Sequence, residues 1–121
     1  MNILFVALGG ALGAVLRYLI SLLPVKAEFP ILTLVTNLLG AIIIGIIVGL
    51  SEKNYNMSDN MVLFMKTGFC GGFTTFSTFS LEAFNLINKK SYGLAGLYAL
   101  LSLILCIFGV FIGKLIVKGK I

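Results

Sequence analysis

The chain has 121 residues, 60% hydrophobic and 11% charged, with a mean hydropathy of +1.13; a water-soluble domain of this size needs far more surface charge, so the composition describes a protein solvated by lipid. Its formal charge of +5 does not describe a nucleic-acid binder, because the nine cations stand singly at the ends of apolar runs and only Lys89 and Lys90 are adjacent, the placement of anchors beside anionic headgroups. There is no histidine, and the two cysteines, Cys70 and Cys106, lie inside apolar segments, which excludes imidazole acid–base chemistry, argues against a metal site with nitrogen or sulfur ligands, and makes an enzyme unexpected.

A bilayer core about 30 Å thick takes about 20 apolar residues of helix, and the sequence offers that four times in a single domain. The first run, 3–23, stops at Pro24 and the loop Val25-Lys26-Ala27-Glu28. It has no basic segment before it and no small-residue cleavage site after it, so it does not read as a cleaved signal. The second run, 31–50, is entered through Pro30, which a helix start tolerates. It ends in Ser51-Glu52-Lys53-Asn54, a polar stretch reaching about Asn60. The third covers 61–87 and the fourth 92–117, joined by the tight turn Asn88-Lys89-Lys90-Ser91. The expectation is therefore an all-α membrane protein of four transmembrane helices with both termini on one side.

Basic residues barely distinguish the two sides. Lys53, Lys66, Lys114, Lys118 and Lys120 fall toward the termini, and Arg17, Lys26, Lys89 and Lys90 toward the other side. Orientation follows Lys and Arg asymmetry in short loops. This balance fits dual topology with an antiparallel dimer, and equally a short chain with few charges. Glycine pairs spaced by four (Gly9 and Gly13, Gly45 and Gly49, Gly109 and Gly113) provide faces on which helices can approach closely in lipid.

Polar groups at membrane depth are costly and point to function. The third run holds the densest set, Gly68-Phe69-Cys70-Gly71-Gly72-Phe73-Thr74-Thr75-Phe76-Ser77-Thr78-Phe79-Ser80 followed by Glu82. Two adjacent glycines and five hydroxyls within ten positions make a poor continuous helix, so a break is expected near 71–77. Freed carbonyls at such a break can coordinate a cation, and freed amides can attract an anion. Phe76 and Phe79 share a helix face, with Phe73 and Phe69 continuing roughly along it. Their electropositive ring edges could solvate a small anion, or the rings could simply pack or face lipid. In the second run Asn37 is the strong amide at depth, with Thr33 and Thr36 nearby, and serves either as interhelical glue or as a donor. Tyr98, Ser102 and Cys106 step by four along the last run. Arg17 either snorkels to headgroups or recruits anions to a vestibule. Glu28, Glu52 and Asp59 read as loop residues, and only Glu82 lies within a span. With little that titrates near the midplane, the inventory suits passive conduction of a hard anion better than proton-coupled exchange.

Three segments carry a resemblance: Gly9-Gly10-Ala11-Leu12-Gly13-Ala14-Val15-Leu16-Arg17-Tyr18, Thr33 through Asn37 to Gly40, and the whole stretch from Gly68 to Glu82. In order and at full length they resemble the Fluc/CrcB family of bacterial and archaeal fluoride channels. The resemblance implies an antiparallel, dual-topology homodimer in the plasma (inner) membrane, with two fluoride pores and a structural Na+ at the dimer interface, exporting fluoride and conferring fluoride resistance. It also implies that Phe76 and Phe79 are pore phenylalanines, that Asn37 is the pore asparagine beside the hydroxyls Ser77 and Thr78, and that Tyr98 with Ser102 forms a polar track. Arg17 matches the vestibule arginine, and the carbonyls of Gly71 and Thr74 match the Na+ ligands, two from each subunit. Thr36, where an apolar residue is usual, and Cys106, where another hydroxyl is possible, depart from the pattern. A four-helix multidrug exporter would need a carboxylate in the first or second run, and neither has one. An assembly subunit without transport activity would leave the polar third run unexplained.

Overall fold

A computed structural model of the protein describes residues 2–53 and 57–119. Asn54 of the polar stretch and Lys120 of the terminal cluster lie outside them. The described residues are helical, with no strand among them. Three helices are long and apolar enough to cross a membrane: α1 (Asn2–Ser21), α2 (Ile31–Glu52) and α6 (Tyr92–Lys118). Between α2 and α6 the chain runs through α3 (Asp59–Val62), two turns of π-helix (Leu63–Cys70), α4 (Gly71–Phe73) and α5 (Phe76–Asn88). Glu52 thus closes α2 and Asp59 opens α3, so neither is a loop residue.

Glycine decides which helices touch. α2 packs most extensively on α6, and α1 on the π-helical segment. At Gly45 an added Cβ would strike the Val110 carbonyl, and at Gly9 the Phe64 carbonyl. All six glycines of the spaced pairs are buried. With no Cβ between them the backbones come close enough for dispersion and Cα–H···O contacts to hold helices together where lipid offers no hydrophobic drive. The opposite faces of α1 and α6 expose Leu, Ile and Phe, as surfaces solvated by acyl chains do.

The ends are tied by polar contacts. Glu52 pairs with Lys114 at 3.0 Å, and Lys53 Nζ donates to the Val117 carbonyl at 2.8 Å; at the far end Ser91 Oγ donates to Glu28 at 2.8 Å. The turn after α5 is a Schellman closure, with Ser91 N–H donating to the Leu86 carbonyl and Lys90 N–H to the Ile87 carbonyl, both at 2.9 Å. Lys90 carries the left-handed residue of that motif, φ 61°, where glycine is the unstrained choice. Lys90→Gly is expected to stabilise the fold by about 1 kcal/mol, seen as a raised midpoint in denaturant titration of the purified protein.

Candidate functional site

The helical backbone lapses at two residues. Thr74 has φ −87°, ψ 156° and Thr75 has φ −149°, ψ 118°, both extended. Thr75 then caps α5, its hydroxyl accepting from Thr78 N–H at 3.1 Å, the usual work of a threonine at a helix start. The exposed peptide groups are held from two other helices. Asn37 of α2 grips residue 75 on both sides: Thr75 N–H donates to Oδ1 at 2.8 Å, and Nδ2 donates to the Thr75 carbonyl at 3.2 Å. Arg17 of α1 is half-buried, and its Nε donates to the Gly72 carbonyl at 3.1 Å. Irregular backbone at membrane depth needs such partners.

Beside the lapse lies an open groove of about 810 Å³, bounded by α2, the third segment and α6. Asn37, Gly71, Thr74, Phe76, Phe79 and Ser102 line it. Phe76 is 78% exposed, and its ring centroid is 5.5 Å from that of Phe79 at a 40° tilt. Ser102 Oγ is shielded from solvent and, among the described residues, is the buried side-chain oxygen with no hydrogen-bond partner. A donor without a partner in a low-dielectric wall is costly unless something visits it. Cys106, absent from the pore assignment made above, lines the same groove.

The remaining candidates lie elsewhere. Tyr98 is fully buried; its hydroxyl donates to Glu82 Oε1 at 2.9 Å, and its ring sits 4.9 Å from Phe79. Thr78 faces a separate cavity of about 60 Å³ together with Arg17, Thr33 and Thr36. Ser77 is exposed, its hydroxyl 3.2 Å from that of Thr75, and it lines neither space. Phe69 stacks on Phe73 at 5.6 Å, before the lapse. Among the described residues no ring contact joins that pair to Phe76 and Phe79, so the face expected to continue through all four is interrupted, because the extended residues end the common helical register.

Glu82 is the residue that sequence reasoning left without a role. It accepts from Tyr98 and, at 3.0 Å, from the Thr33 hydroxyl, so one carboxylate joins α2, α5 and α6. The available signal was a lone acid in an apolar span, which requires partners; their identity lies in folding, since they are 49 and 16 residues away. Tyr98→Phe is expected to lower stability by about 1–3 kcal/mol, because Glu82 Oε1 loses its donor at a buried site. Unfolding in a denaturing detergent titration measures it.

The lapse also bears on cation binding. In an unbroken helix Thr75 N–H would close on the Gly71 carbonyl and Thr78 N–H on the Thr74 carbonyl. Here the first goes to Asn37 and the second to the Thr75 hydroxyl. Two hard oxygens on the groove wall are thereby released from helical donors, a donor set suited to an alkali or alkaline-earth cation.

Comparison with known proteins identifies the family. The family model described as CrcB-like protein, Camphor Resistance (CrcB), matches residues 4–114. The chain is 45% identical to a protein of Azobacteroides pseudotrichonymphae over 97% of its own length and 96% of that protein's. It is 45% identical to one of Thermococcus gammatolerans (95% and 94% covered) and 46% identical to one of Methanococcus maripaludis (94% and 93% covered). All three are named fluoride-specific ion channel FluC. With three apolar helices long enough to cross a bilayer and near-full-length similarity to bacterial and archaeal members, this chain is a multi-pass membrane protein and belongs to the CrcB family.

Proposed function

We propose that this chain is a fluoride-selective passive channel that lets fluoride leave the cytoplasm of a bacterium or archaeon and so protects the cell from it. It is not an enzyme. The observation that carries the reading is the groove in which the partnerless Ser102 hydroxyl, the Asn37 amide and the paired rings of Phe76 and Phe79 meet, with no carboxylate among the lining residues. Fluoride is strongly hydrated, so a selective path must replace water by many weak donors; a lysine or arginine buried in the path would hold the ion too tightly to release it. Hydroxyl, amide and electropositive ring edges meet that requirement. The naming of the relatives as fluoride-specific channels supports the same substrate.

In this reading residues 59–88 form the third of four spans, interrupted at its centre, and the groove is completed by a second, antiparallel copy inserted in the opposite orientation. The near-balanced distribution of Lys and Arg is compatible with both orientations. Arg17 stands at the vestibule, and Thr78, Ser77 and Tyr98 support the path from its flanks. The released carbonyls of Gly71 and Thr74 would hold a structural Na+ between the two copies, adding a fixed positive charge beside the groove.

The test is fluoride-electrode efflux from liposomes containing the purified protein, with a potassium ionophore carrying the balancing charge. Rapid fluoride efflux with no chloride efflux in the matched assay is expected. Equal rates for the two halides overturn selectivity, and no fluoride efflux from folded protein overturns the channel.

A further inference from the structure

The groove and the carbonyl pair share one residue. Asn37 lines the groove, yet both heavy atoms of its amide are engaged with the backbone of Thr75. Its Oδ1 takes the amide proton that would otherwise close on Gly71, and the Thr75 hydroxyl takes the one that would close on Thr74. We propose that Asn37 and Thr75 are positioning residues which set the cation affinity of the Gly71–Thr74 carbonyl pair by holding away the two amides that compete for it. The inference rests on the reading of that pair as a sodium site.

Each residue controls one carbonyl. Without the Asn37 amide, Thr75 N–H has no acceptor at depth and is drawn to Gly71, re-forming a helical turn across the lapse. Without the Thr75 hydroxyl, Thr78 N–H is drawn to Thr74. In both cases an oxygen able to bind a cation becomes an oxygen satisfied by a peptide, and a ligand is lost from each subunit. Asn37 would then serve ion and cation together: the side chain that offers a donor to the groove also keeps the cation's ligands open.

The experiment follows thermal unfolding of the purified protein against NaCl, with N-methylglucamine chloride holding ionic strength constant, and reads the Na+ concentration giving half-maximal stabilisation. Thr75→Val suits the extended backbone at this position and removes only the hydroxyl; it is expected to raise that concentration about tenfold or more, the usual effect of losing a group that orients a metal ligand. Thr75→Ser keeps the hydroxyl and is expected to restore the parent value. Asn37→Ala is expected to act like Thr75→Val from the other side of the lapse. Ser80→Ala, whose hydroxyl only returns to the Phe76 carbonyl, is expected to leave the value unchanged. Folded Thr75→Val and Asn37→Ala proteins with the parent's Na+ dependence overturn the inference while leaving the sodium site standing. A parent protein that Na+ stabilises no better than N-methylglucamine overturns both.

Discussion

Gly113→Val is expected to yield no monodisperse protein in detergent, whereas Gly93→Ala purifies as the parent does. A Cβ at Gly113 would strike the Ile42 carbonyl, and it would lie 2.8 Å from the Ile46 nitrogen and 3.0 Å from the Gly45 carbonyl carbon. These are backbone atoms of α2, which cannot rotate away as a side-chain tip can. The helices must part, and α2–α6 is the largest interface in the fold. Overpacking a close-packed site costs roughly 1–3 kcal/mol when neighbours can adjust, and this contact offers no adjustment short of separating the two helices. At Gly93 nothing lies within 4 Å of an added Cβ, so the control distinguishes close approach from a general intolerance of substitution. Size-exclusion profiles of the two variants decide the matter, and a well-behaved Gly113→Val protein would refute the packing argument.

Phe79→Ile is expected to fold and to slow fluoride efflux about two- to tenfold. Isoleucine keeps most of the apolar volume between Phe76 and Tyr98, whose ring centroids lie 5.5 and 4.9 Å from that of Phe79, so the core around Leu34 and Leu86 persists. It has no electropositive edge. An aromatic-edge interaction is worth about 0.5–1.5 kcal/mol, and about 1.4 kcal/mol on a barrier is tenfold in rate. The liposome assay measures it directly. An unchanged rate in the folded variant would take the ring out of the ion's path.

Hydropathy and proline placed the long apolar helices in the sequence, because 20 apolar residues in a row have few alternatives. Pro30 lies just before Ile31, where α2 starts. The glycine spacing was equally legible, since small residues at i and i+4 necessarily share a helix face. The π-helical turns over Leu63–Cys70 were not, because nothing in Leu63-Phe64-Met65-Lys66-Thr67 departs from ordinary helix formers; the register follows from how the segment beds against Gly9 and Gly13. For the same reason composition marks only a neighbourhood, Gly71 to Ser77, in which backbone can lapse. The lapse at Thr74 and Thr75 depends on Asn37, 38 residues away, being there to receive an amide. The motif from Gly68 to Glu82 led to the family, but the partners of Glu82 on α2 and α6 became visible only in three dimensions.

The staples at the lapse also bear on how the chain enters the membrane. α1, α2 and α6 satisfy their own peptide groups and can each partition into lipid alone. On the four-span reading, the third span cannot: it carries peptide groups whose partners are the Arg17 guanidinium and the Asn37 amide, and unpartnered peptides in hydrocarbon cost several kcal/mol each. Both partners lie upstream of it in the chain and leave the ribosome first. Synthesis order thus matches the order of need: the span that depends on its neighbours emerges after they are in place. A chain permuted to begin at α3 would present that span to the translocon unsupported and should insert poorly, although every contact of the finished fold would still be available.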